Sequence, residues 1–194
     1  MKKSKLILFT IAFATFSFVS QALYSQENFT VNVENSTLNW KGYKLTGSHT
    51  GTIKLISGNV VLKNNKIIGG NFVADMNTIK EADGNAKLEG HLKSEDFFEV
   101  ETYPTSEFEI TEATVKAGKI QVIGNMTIKG ITKQITFPAT LMVNEDVMTL
   151  TSETFQINRA DFNVKFKSKT FFNDLKDKFV NDEFDFQVTI IANK

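Results

Sequence analysis

The sequence predicts an all-β fold, a single antiparallel sheet arranged around one apolar interior. Three observations carry this. Segments of alternating apolar and polar residues recur along the chain, each presenting one apolar face. Turn signals separate them roughly every 8–13 residues, and connections so short join antiparallel neighbours. Several segments run about 11–13 residues, roughly 36–44 Å at 3.3 Å per residue, where five or six residues is usual. A sandwich or a closed barrel would give every strand one inner face. Eight or nine such segments are counted, and their length favours the barrel; an eight-stranded barrel either fills with side chains or holds one small ligand, and periodicity does not separate these two.

The chain begins with a targeting pattern. Met1-Lys2-Lys3-Ser4-Lys5 is a positive start, Leu6–Val19 is an apolar run of 14 residues, and Ser20-Gln21-Ala22 is a small-x-small cleavage signal. The run is short for a membrane span, which needs about 20 apolar residues. Residues 1–22 are therefore read as a signal peptide and 23–194 as one exported domain, periplasmic or secreted and without stable membrane insertion. There is no cysteine, so neither a disulfide nor a lipid anchor on sulfur is available. A chain of this length buries a core without disulfides. The leader holds three lysines and no acid, so the domain carries 19 basic and 22 acidic residues, a net charge of −3. That balance gives no electrostatic footprint for nucleic acid and no attraction to an anionic membrane.

The elements follow in order. Phe29, Val31 and Val33 mark a first strand, and Thr37–Lys44 a second that holds the only tryptophan, Trp40. Thr46-Gly47-Ser48 reads as a turn, His49–Ile56 as a strand, Ser57-Gly58 as a turn and Asn59–Lys63 as a strand. Asn64-Asn65 is a hairpin signal, because asparagine tolerates the positive φ of tight turns. Lys66–Ile79 is a long strand with Ile68, Phe72, Ala74 and Met76 on one face, and Gly69-Gly70 suggests a bend or bulge. Ala86–Lys93 reads as a short side helix with Leu88 and Leu92 on one face, and Tyr103-Pro104 forces the chain back to extended geometry. Thr105–Val115, Lys119–Lys129, Ile131–Val143 and Val147–Asn158 alternate as strands, with turns at Ala117-Gly118, Gly130 and Asn144-Glu145-Asp146. Asp161–Asp182 is irregular, with a short helix expected near Phe171–Lys176. Asp182–Asn193 is the last strand, with Phe184, Phe186, Val188, Ile190 and Ala192 on one face.

Four blocks carry a family resemblance: GGNFVADMNTI (69–79), HLKSEDFFEVETYPTSEFEI (91–110), GNMTIKGITKQITFP (124–138) and FQINRADFNV (155–164). Their residues and order resemble the YceI-like family of bacterial secreted proteins, over about Trp40 to Ala192. The resemblance implies a lipocalin-like barrel whose interior holds a polyisoprenoid or another long-chain amphiphile.

Catalytic signals are sparse. There is no cysteine nucleophile, Gly-x-Ser-x-Gly elbow or phosphate-cradling glycine loop, and His49 and His91 lack metal-ligand spacing. No catalytic residue, metal ligand or cofactor is assigned. His91 either hydrogen-bonds a ligand head group or ties the side helix to its neighbours; His49, beside a turn, reads as a brace. On a continued alternation from Phe155 and Ile157, Arg159 points inward. A buried guanidinium needs a partner, for which Asp161 or Asp96 is expected. Arg159 then either fixes the strand end or holds a ligand phosphate or carboxylate. Lys165, Lys167 and Lys169 alternate as a comb, either a solvated strand edge or a cationic mouth. Candidate cavity residues are Phe72, Met76, Phe108, Met126, Phe137, Phe155 and Phe184, with Phe97 or Phe98 under the helix and the other gating the tube. The expected partner is one long-chain lipid, of polyprenol, prenyl phosphate, quinone or fatty-acid type. Barrels of this kind often pair, which leaves a homodimer open. The alternatives are an enzyme acting on the lipid through His91, or a filled barrel with no ligand.

Overall fold

Residues 25–116 and 118–194 are described by the structure, a computed structural model. The expected leader at 1–22 and Ala117 of the expected turn lie outside them. The segments form β1 (Gln26–Val31), β2 (Thr37–Lys44), β3 (Gly47–Lys63), β4 (Lys66–Glu81), α1 (Ala86–Lys93), β5 (Thr105–Lys116), β6 (Lys119–Ile128), β7 (Ile131–Asn144), β8 (Val147–Ser152), β9 (Phe155–Asn158) and β10 (Glu183–Asn193). All pairings between them are antiparallel.

Among the described residues, ten strands make eight lanes. On one edge of β10, Asp185–Thr189 pairs with β2 and Ala192–Asn193 with β1, and both of these also pair with β3. On its other edge, Glu183–Phe186 pairs with β9 and Thr189–Asn193 with β8. So β1 and β2 are two pieces of one lane, and β8 and β9 are two pieces of another. With β10 joining these two lanes, the sheet closes into a ring. This is the expected eight-stranded lipocalin-like barrel with its side helix. At each break a serine replaces the missing backbone partner. Ile191 donates its N–H to Ser36 Oγ at 3.0 Å, and Val188 donates to Ser152 Oγ at 2.9 Å. The orphaned donors that a broken lane would leave in β10 are thereby satisfied.

The structure departs from the sequence reading at the break that splits the expected strand Val147–Asn158 into β8 and β9, and elsewhere. Ser57-Gly58 is not a turn: β3 is one continuous strand with register shifts at Thr52/Lys54 and Leu55/Ser57. Gly58 is there for close approach, since a Cβ would lie 2.9 Å from both Asn71 O and Val31 Cγ2. Ile68 does not face inward. A bulge opposite Val61/Leu62 flips the alternation, so Ile67 is buried and Ile68 is exposed. Lys165–Lys169 is not a strand edge but part of an irregular loop, 163–182. A 3-10 turn spans Lys176–Lys178, overlapping the helix expected at 171–176 only at Lys176.

Two packed clusters result. Phe29, Val60, Leu62, Val122, Met148 and Ala192 are wholly inaccessible to solvent and plug one end of the ring. At the other end α1 lies over the opening, packing Leu92 with Met76, Ile79, Phe97, Val100 and Val164. The helix is built where its caps permit. Asn85 Oδ1 accepts from Leu88 N at 3.1 Å, and Ser94 N donates to His91 O. Among the described residues no helix is long and apolar enough to cross a membrane.

Candidate functional site

Between the plug and α1 lies a cavity of about 420 Å³, lined almost wholly by apolar side chains. Period-two alternation in all eight lanes aims these side chains inward. Six phenylalanines form a continuous belt in its wall. Phe72 stacks on Phe108 with centroids 6.4 Å apart, Phe108 meets Phe137 at 5.5 Å, and Phe137 stacks on Phe155 at 4.3 Å. Phe155 then meets Phe186 edge-on at 5.8 Å, and Phe186 meets Phe184 edge-on at 6.3 Å. Room for Phe108 comes from the opposite strand: a Cβ on Gly124 would stand 2.4 Å from its ring.

All ten candidate residues line this one space: Phe72, Met76, His91, Phe97, Phe108, Met126, Phe137, Phe155, Arg159 and Phe184. Others lining it were not among the ten, notably Trp40, Ile53, Leu88 and Phe186, while Phe98, expected either under the helix or gating the tube, lines it too. Phe186 shares an alternation with Phe184, so its signal was present; Ile53 sits beside a register shift that breaks the count. Phe97 is buried under α1 and Phe98 is half-buried beside it, both facing the cavity.

The polar groups at the open end are engaged with the protein. Arg159, only 3% exposed, donates from Nε to Asn181 O at 2.9 Å, from Nη1 to Val164 O at 2.8 Å and from Nη2 to Val180 O at 3.0 Å. Its ion-pair partner is Asp182, whose Oδ1 lies 3.2 Å from Nη2, and not Asp161 or Asp96. The reason is register. Asn158 pairs with Glu183, so the next residue, Arg159, faces Asp182, and its N–H donates to Asp182 O at 2.8 Å. Asp161 turns outward in the 3-10 turn Arg159–Phe162. Burial lowers the Arg159 pKa, and Asp182 opposes this only in part. Burial raises that of Asp182, but the Ser168 and Thr170 hydroxyls, the Thr170 amide and Arg159 outweigh it, and the net shift is down.

The two histidines are separated in role. His91 Nε2 lies 3.4 Å from Asp96, and its ring meets Phe166 edge-on at 4.4 Å and Phe97 at 5.3 Å. His49 Nδ1 lies 3.0 Å from the buried Glu81. Glu81 also accepts from the backbone of Asp83 at 2.9 Å and Asn85 at 3.1 Å, so one carboxylate organises the approach to α1. His49, Asn85 and Asp83 hold its pKa below the ordinary 4.5 against the opposing effect of burial. Among the described residues no group of three or more His, Asp or Glu side chains comes together to hold a metal.

A model of the YceI-like domain matches residues 29–192. The UPF0312 protein of Pseudomonas aeruginosa (strain LESB58) is 35% identical over 71 residues, which span only 37% of each chain. Among solved structures, Burkholderia cenocepacia BcnA superposes with a TM-score of 0.72 at 23% identity, covering 84% of this chain and 99% of that one. A polyisoprenoid binding domain from Saccharophagus degradans, implicated in plant cell wall breakdown, gives 0.66 at 14% identity, covering 85% and 97%.

Proposed function

The chain belongs to the YceI-like domain family, and on that premise we propose that it is an exported binding protein that holds one long-chain amphiphile inside its barrel without chemical change. The apolar 420 Å³ cavity, walled by six phenylalanines, carries this reading. It falls within the usual volume of small-molecule sites, about 300–1,000 Å³. Each buried CH₂ is worth about 0.8 kcal/mol. Ten give roughly 8 kcal/mol gross, the scale of a micromolar complex, before the ordering costs of association. Affinity then rests on chain length. An isoprenoid chain is the favoured class, because a fold neighbour is described as a polyisoprenoid binding domain.

The space itself argues against a filled barrel. No reaction is assigned, because the polar groups at the mouth are engaged: His91 faces Asp96 between two aromatic rings, and Arg159 has a protein acceptor at every nitrogen. Export rests on the leader pattern of residues 1–22.

Native mass spectrometry of the protein purified from its own cells tests the reading. A discrete adduct of several hundred daltons, lost on organic extraction, is expected. A bare mass with no uptake of added polyprenol, quinone or fatty acid would overturn it.

A further inference from the structure

Loop 163–182 is used only in part by the cavity. Phe166, Lys167, Val180 and Asn181 form cavity wall at the open end. Val180 bridges to Lys44, and Asn181 N donates to Tyr43 O at 2.9 Å, which fastens the loop to the end of β2. Three large apolar side chains are left exposed on these two adjoining segments: Leu45 at the β2–β3 turn, and Phe171 and Phe172 on the loop. Gathered on two fastened segments beside one opening, they suit a contact surface.

Charge distinguishes what the surface contacts. Residues 163–180 carry five lysines and two aspartates, Asp174 and Asp177. The other described residues carry 14 cations and 20 acids, so the rim is a basic island on an acidic protein. Asp182, which would offset it, is occupied by Arg159 and by the Thr170 hydroxyl at 2.8 Å. The ammonium groups stand beside rings: Lys165 Nζ is 5.4 Å from the Phe171 centroid and Lys169 Nζ is 3.4 Å from that of Phe179. Rings that enter the acyl boundary, with cations level with phosphates, are the chemistry of an interfacial lipid anchor.

We propose that loop 163–182 and the β2–β3 turn dock the barrel mouth on an anionic lipid bilayer. The net charge of −3 gives no such attraction, because it averages over a surface whose doorway has the opposite sign. Docking here sets the cavity opening against the membrane, so a hydrophobic chain passes between bilayer and barrel with little exposure to water. That use rests on the proposed lipid-binding function; the docking itself does not.

Flotation with vesicles of phosphatidylcholine alone, and with 30% phosphatidylglycerol added, tests it on the purified protein with no cargo supplied. Association with the anionic vesicles at low salt is expected, with release as salt screens the contact. K176A/K178A lowers partitioning about 30-fold, two lysines at about 1 kcal/mol each near such a surface. F171S/F172S also releases the protein while its circular dichroism stays that of the wild type. Absence of wild-type association at low salt overturns the proposal, and so does equal binding to neutral vesicles. Wild-type partitioning by both variants, or self-association through Phe171 and Phe172 in place of vesicle binding, would do the same. Cargo is read separately by mass spectrometry, so failure of either reading leaves the other standing.

Discussion

Arg159→Met separates the two roles open to the guanidinium. Methionine keeps much of the volume and removes the charge. The structure then loses three charge-assisted hydrogen bonds, to the carbonyls of Asn181, Val164 and Val180, and leaves Asp182 without its cation. Hydrogen bonds to charged groups contribute about 1.5–3 kcal/mol each, but water reaches part of a vacated mouth. Removing one partner of a buried pair costs about 3–5 kcal/mol, and that is the expected loss here. At about 2–4 °C per kcal/mol for a chain of this size, the melting midpoint falls roughly 6–20 °C. Asp182→Asn costs less, because the carbonyls keep their donor. Melting is followed by circular dichroism, and the affinity of the folded variant is measured in parallel for a prenyl alcohol and its phosphate. Loss of stability with an unchanged alcohol-to-phosphate ratio is expected. A variant that melts within a few degrees of wild type yet loses the phosphate selectively would refute the reasoning and return Arg159 to the ligand.

Phe137→Asp places a charge in the middle of the aromatic belt and should abolish uptake of any long-chain lipid; a folded variant that still takes up lipid, by mass spectrometry, would remove that wall from the site. Glu81 sets an acid limb. Its folded pKa lies below the ordinary 4.5, so its contribution is complete above about 4.5 and is lost as pH falls through the folded value. Glu81→Gln should therefore be less stable near neutrality and show a flatter fall on acidification, read from melting midpoints between pH 3 and 7.

Much of this was legible because the side-chain period of a strand is short and local. The inward faces of β6, β7 and β10 follow from alternation, and α1 is bounded as expected by residues 86–93. Alternation fails where one residue is added. The bulge that exposes Ile68 leaves no mark beyond a glycine pair, and glycine signals a turn and a close approach alike, so Gly58 was misread. The partner of Arg159 was hidden for another reason. Asp182 is 23 positions away in sequence and becomes its neighbour only through the pairing of β9 with β10. No local pattern encodes a register between strands separated by the 24 residues 159–182. The lysine comb reads as a strand from spacing, whereas positive φ at Asn163 and Lys167 breaks the segment into turns.

The two broken lanes have a kinetic consequence. Both flank β10, which among the described residues follows the other strands in sequence and joins the lane of β1 and β2 to that of β8 and β9. Until β10 arrives, the chain is an open curved sheet with two fragmented, unsatisfied borders and an exposed phenylalanine wall. Such borders template association with other chains, and long-range closure is slow because its entropy is spent before its contacts form. This topology makes ring closure the expected committing event of folding. The hazard for this protein is the interval before residues 183–193 engage, and a holdase that covers the aromatic wall in that interval would protect it more than any added stability of the finished barrel.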